Sequence, residues 1–158
     1  NYVLVNLGIL DKPYNFLTQP FAAKIVIILA LLWRWTGYNM VFFLSGLQNI
    51  EYSVYEAAKI DGASAIQTFF KITVPLLKPT ILLTAIMSTN GTLQLFDESI
   101  NLTDGGPANA SISMSHYIYN LCFKYVPNFG YAAAMSFFIL LLVAVLAFIQ
   151  MRVGDKRD

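Results

Sequence analysis

His116 and Cys122 are the single histidine and the single cysteine of this chain. A thiol beside an imidazole supplies a nucleophile and its base. Here the two stand six residues apart on one predicted helix, and we read both as packing residues. No second histidine or nearby cysteine completes a metal site, and one cysteine builds no disulfide within the chain. No Ser/His/Asp set and no GxxxxGK[ST] loop occurs, so the chain shows neither catalytic residues nor an ATP site of its own. The expectation is a non-enzyme that holds no metal and no cofactor.

Other polar residues stand where polarity is costly. Arg34, Trp35 and Tyr38 interrupt one apolar run, and Ser88, Asn90, Gly91 and Thr92 interrupt another. Polar groups in hydrocarbon tend to face a bundle interior or a cavity. Arg34, Tyr38, Val41 and Ser45 recur at i, i+4, i+7 and i+11, one stripe of a helix. Ser88, Gly91, Thr92 and Leu95 share one face of the second run, and Asn90, Gln94 and Asp97 share the other. Counted from the span ends, Asn90 and Gly91 lie near the depth of Arg34, whereas Asp97 and Glu98 lie near the outer surface. Trp35, Tyr38, Ser88, Asn90 and Thr92 bring hydrogen-bonding groups and aromatic faces together, as a polar pathway needs. Two alternatives stay open. One face packs against a neighbouring helix, where small residues permit close approach. Arg34 snorkels or pairs within the bundle.

The elements that must position these residues are membrane helices. Of 158 residues, 57% are hydrophobic and only 12% charged, against about a quarter charged in soluble domains. The apolar runs predict spans over 21–48, 76–98 and 129–151. About twenty residues cross a hydrocarbon core of roughly 30 Å, so the first span must tilt or bend near Thr36-Gly37. Residues 1–20 form an outer loop. Residues 99–128 form another, with a "TDGGP" turn and a tyrosine-rich interfacial helix over Ser111–Tyr125. Residues 152–158 are a charged tail. Lys59, Lys71 and Lys78 with Arg152, Lys156 and Arg157 outweigh Lys12, Lys24 and Lys124, which places 49–75 and the tail in the cytoplasm. The net charge of +1 forms no basic patch, so nucleic acid is not an expected partner. The chain starts at Asn1 without a signal-peptide pattern, and we expect an N-terminal part to precede it.

Residues 49–75 interrupt the apolar pattern with a short polar, helical stretch. "SVYE" and "SAIQ" predict capping boxes at Ser53/Glu56 and Ser64/Gln67. Gly62 between them predicts a helix end and an elbow. Pro75 is expected to block further helix, and Pro79 fits the first turn of the next one. Ile66, Phe69 and Phe70 form an apolar knob or inward face, and Tyr52, Tyr55, Ala58 and Lys59 share a face of the first helix. Interfacial connector, regulatory loop and docking surface are all compatible with this pattern.

"EAAKIDGASAIQTFFKITVP" resembles the cytoplasmic EAA loop of the permease subunits of ATP-binding-cassette importers. Glu56, Ala57, Ala58, Gly62, Ile72 and Pro75 stand at the family spacing, and Val74 replaces the usual leucine. "GLQNIEYSVYEAAKIDGAS", "LTDGGPANAS" and "YIYNLCFKYVPNFGYAAAMS" look like the carbohydrate-importing branch, most like the larger maltose-transporter-type permease. Glu51 stands where the family often has proline. Such subunits have about six spans, so the chain resembles the C-terminal half of the permease core.

The resemblance implies an all-α polytopic membrane helical bundle, a single permease domain over 1–158. Three transmembrane helices, two short cytoplasmic coupling helices and an outer interfacial helix would build it, in the cell membrane. It implies a second homologous permease, cytoplasmic subunits that hydrolyse the ATP, an extracytoplasmic solute-binding protein at the "TDGGP" loop, and a sugar substrate. Glu56, Ala57, Ala58, Gly62, Phe69 and Pro75 would carry the coupling. An importer of another solute such as glycerol phosphate is the first alternative, and a secondary transporter fragment the second. The latter needs mid-membrane carboxylates, which the spans lack.

Overall fold

The computed structural model describes residues 2–9 and 11–154, Tyr2 as backbone alone. Among these residues every regular element is helical. The last residues of the predicted tail, from 155 onward, lie outside them. Chain contacts divide the molecule into two units, one drawn from 1–32 and 94–136, the other from 33–93 and 137–158.

A short helix α1, Tyr2–Asn6, precedes the long helix α2, Pro20–Gln48. Pro20 opens α2 at the position where a missing N–H is harmless. The 29 residues form one continuous helix through Thr36-Gly37. At 1.5 Å per residue α2 spans about 43 Å, well over the roughly 30 Å of hydrocarbon core. The last long helix, α8, Phe129–Gly154, has 26 residues and is the more apolar of the two. Asn128 caps it by accepting from the Tyr131 N–H at 3.1 Å. Both helices are long and apolar enough to cross a membrane.

Between them the chain builds α3, Tyr52–Ile60, then α4, Ala65–Thr68, a π turn Phe69–Thr73, and α5, Val74–Leu76. Helix α6 follows as Lys78–Leu93, bent by 64° from the Ala65–Leu76 run. Its 16 residues measure about 24 Å, shorter than the predicted 76–98 span. Residues 94–96 leave the helix, and Asp97 and Glu98 are helical again as they lead into a second π turn, Ser99–Thr103. Helix α7, Met114–Tyr119, and a third π turn, Asn120–Lys124, fall within the predicted interfacial helix but start three residues later. Ser113 delays the start, because its hydroxyl caps the His116 N–H at 3.2 Å.

Candidate functional site

Helix α3 closes in a Schellman turn. The Gly62 N–H donates to the Lys59 carbonyl at 3.2 Å and the Ala63 N–H to the Ala58 carbonyl at 2.9 Å. Gly62 sits at φ 75°, a conformation that costs an L side chain about 1–2 kcal/mol. Helix α4 then starts on the predicted capping box. The Gln67 N–H donates to Ser64 Oγ at 3.3 Å, and the Ser64 N–H donates to Gln67 Oε1 at 2.9 Å. Such a cap contributes about 1 kcal/mol. The box expected at Ser53/Glu56 is absent. Helix α3 begins at Tyr52 after Glu51, which makes Ser53 an internal residue. Its hydroxyl donates to the Glu51 carboxylate at 3.2 Å instead.

Pro75 does not end the helical run. The π turn Phe69–Thr73 precedes it, and Pro75 lies in the first turn of α5, where the ring tolerates its missing N–H. The direction changes two residues later, at Leu77, before Pro79 in the first turn of α6. Tyr55 ties the two arms of the elbow together, its hydroxyl 3.2 Å from Thr73 Oγ1. Ala58 and Thr73 are buried at this join. A hollow of about 350 Å³ lies inside the elbow, lined by Ala58, Gly62, Gln67 and Lys71 among others.

The outer surface of the elbow is apolar. Ile60 is 86% exposed, Ile66 72% and Phe70 66%. Phe69 stands edge-on to Phe70 with ring centres 5.0 Å apart, so the trio Ile66, Phe69 and Phe70 projects as a knob. Glu56 and Ala57 are exposed beside it, Ala58 is turned inward, and Tyr52 and Lys59 leave the face shared with Tyr55 and Ala58. The predicted coupling residues therefore divide into an exposed set and a structural set.

The predicted pathway residues divide as well. Trp35 lies on Gly91 so closely that a Cβ there would stand 2.2 Å from the indole ring. Tyr38 packs edge-on to Trp35, centres 5.6 Å apart, and the Arg34 guanidinium carbon stands 5.6 Å from the Trp35 ring centre. Ser88 bonds to Asn39, whose amide donates at 3.0 Å. Trp35, Tyr38, Ser88 and Gly91 are thus brought together where α2 meets α6. Asn90 and Thr92 are exposed on α6. Trp35 Nε1 is buried without a hydrogen-bond partner. Asn39 was not among the sequence candidates, because it lies one residue off the Arg34, Tyr38 stripe. Helix α6 also meets α8, where Gln150 Nε2 donates to Thr89 Oγ1 at 2.8 Å.

The other unit holds a hydrogen-bonded knot around Ser99 and His116, both wholly buried. The Ser99 hydroxyl donates to the Ser111 carbonyl at 2.7 Å. Its one proton being used, it accepts from His116 Nδ1–H at 2.8 Å. The Ser113 hydroxyl donates to the Leu95 carbonyl. Asp104 holds Lys124 through both carboxylate oxygens at 2.8 Å. That bond depresses the Asp104 pKa and raises the Lys124 pKa. Burial depresses the His116 pKa.

These features define an integral membrane protein of helical type, with an exposed, internally hydrogen-bonded elbow between its helices. The chain belongs to the family of binding-protein-dependent transport system inner membrane components, whose pattern matches residues 2–157. It is 54% identical over 159 residues to the lactose transport system permease protein LacF of Rhizobium radiobacter, covering 99% of this chain and 53% of that protein. It is 36% identical to the trehalose/maltose transport system permease protein MalF of Thermococcus litoralis, covering 99% and 52%. A bacterial ABC transporter that imports the acidic polysaccharide alginate has a chain of the same fold. The TM-score is 0.82 at 25% identity, over 98% of this chain and 53% of that one. The chain therefore spans about half the length of the curated relatives it matches. Those relatives are transport permeases and not enzymes.

Proposed function

We propose that the chain is the elbow-bearing part of a sugar-importing ABC permease in the cell membrane. The elbow of α3, α4 and α5 carries this reading. It is a stiff element, with its turn fixed by Gly62, its second arm capped by Ser64 and Gln67, and its two arms tied by Tyr55 and Thr73. It projects a hydrophobic knob into the aqueous side of the membrane, where an exposed apolar surface calls for a partner. A cytoplasmic ATPase supplies that partner. Rigid-body motion of the ATPase then passes through α4 and α5 into α6, which lines the pathway with α2. A second permease completes the pathway. The loop over 99–113 faces a solute-binding protein. A related alginate transporter crystallised with a periplasmic protein holding an alginate pentasaccharide supports such a partner.

The substrate class rests on the sugar permeases among the relatives and on Trp35, Tyr38 and Ser88 converging at one depth. Arg34 beside the Trp35 ring favours a second reading, an anionic carbohydrate. Competition of neutral and acidic sugars for uptake separates the two.

The test of the coupling is Glu56→Lys in the assembled transporter. Glu56 is exposed, so the change leaves folding intact. ATP-driven uptake in proteoliposomes should fall about tenfold or more, as expected where a charged hydrogen-bonding partner is inverted at an interface. Uptake equal to that of the wild type would refute the coupling role.

A further inference from the structure

His116 is 0% exposed, yet only one of its ring nitrogens is bonded. With Nδ1–H committed to Ser99, the neutral ring presents a bare lone pair at Nε2. That nitrogen has no hydrogen-bond partner and lies 3.7 Å from Asp104 Oδ1. Two lone pairs face one another across a gap slightly too long for a hydrogen bond. Lys124 already donates to both oxygens of that carboxylate at 2.8 Å, Oδ1 included. The rings of His116 and Phe96 stand edge to face, centres 6.0 Å apart, and Gly105 lies so close that a Cβ there would stand 3.4 Å from His116 Cε1. Asp104 and Lys124 are the charged groups that act on the ring from the elements around it.

We propose that His116 is a proton-binding site, and that its protonation makes Asp104 the shared ligand of two cations, His116 and Lys124. A proton taken from solvent forms an Nε2–H bond and no other covalent bond changes. The new donor points at Asp104 Oδ1, and a charge-assisted bond of about 2.7–2.9 Å requires the carboxylate to move inward by about 1 Å. Asp104 is left-handed at φ 46° and opens a turn in which Gly105, Ala108 and Asn109 also have positive φ. Side-chain movement there is transmitted to the turn backbone, because so few backbone conformations are open to it. On the function proposed above, this turn faces the solute-binding protein, so acidity would retune the docking surface.

The sign follows from the surroundings. Burial and Lys124 oppose the imidazolium, and Asp104 favours it, with burial the largest influence. The midpoint therefore lies below the ordinary 6.5. The neutral-ring knot is fully stable above that pH and loosens as the pH falls through the midpoint.

The experiment is histidine-selective 15N NMR on the full-length permease in nanodiscs, with the His116 signal assigned by its loss in His116→Asn. At neutral pH the ring should be the Nδ1–H tautomer, converting to imidazolium below 6.5. Asp104→Asn should lower the midpoint and Lys124→Met should raise it, each by about half a pH unit to one unit. These opposite shifts distinguish a proton site from a packing residue, and they need no transport. An Nε2–H tautomer, no titration down to about pH 4, or shifts in one direction for both variants would overturn the proposal.

Discussion

Gly62→Pro should abolish ATP-driven uptake while the protein still inserts in the membrane at wild-type yield. Proline is fixed near φ −65°, and Gly62 sits at 75°. The ring also removes the N–H that donates to the Lys59 carbonyl. The elbow must turn elsewhere, and α4 with its knob then leaves its direction. No heavy atom lies within 4 Å of a Cβ placed at Gly62, so the backbone conformation alone sets the effect. A graded series follows. Gly62→Asn should be mild, because asparagine visits the left-handed region, and Gly62→Ala should be intermediate at about 1 kcal/mol of strain. Transport measured in proteoliposomes, with insertion checked by membrane fractionation, reads out all three. Normal uptake by the proline variant would remove the elbow from the mechanism.

Gly91→Ala should destabilise the α2–α6 contact by about 1–3 kcal/mol, the usual cost of overpacking. The added methyl would stand 2.2 Å and 2.6 Å from two Trp35 ring atoms, and a rigid indole cannot yield as a flexible chain end does. The ring must swing out of the contact, taking the Tyr38 edge-on pairing with it. Paired with Trp35→Leu, the alanine should become nearly harmless, since the ring it strikes is gone. The double-mutant cycle, read by thermal unfolding in nanodiscs, should show strong non-additivity. Additive effects would mean that Trp35 and Gly91 do not share a contact.

The elbow was legible because its signals are local. Glycine at a left-handed position and Ser64 with Gln67 three residues on are short-range constraints, and the chain obeys both. Ser53 failed as a cap for an equally local reason. Helix α3 starts one residue before it, and the serine pattern does not exclude that start. Pro75 shows a different limit. A proline excludes one hydrogen bond, but a π turn upstream rearranges the donors, and no residue type announces a π turn. In the membrane region, polar residues on a helix could be sorted into faces but not assigned to partners. Ser88 and Gly91 contact α2, and that choice depends on helix packing at long sequence separation. The bonding of His116 was hidden for the same reason. Its partner Ser99 stands 17 residues away, and no spacing rule links a loop serine to a helix histidine.

Site-specific crosslinking from the elbow tests the central claim most directly. A photoreactive residue at Ile60 or Phe70, both exposed, would be placed in the full-length permease assembled with its transport partners. The account predicts a crosslink to the ATP-hydrolysing subunit, with a yield that changes between nucleotide-free and ATP-bound states. Crosslinks confined to lipid or to the partner permease, unchanged by nucleotide, would contradict it.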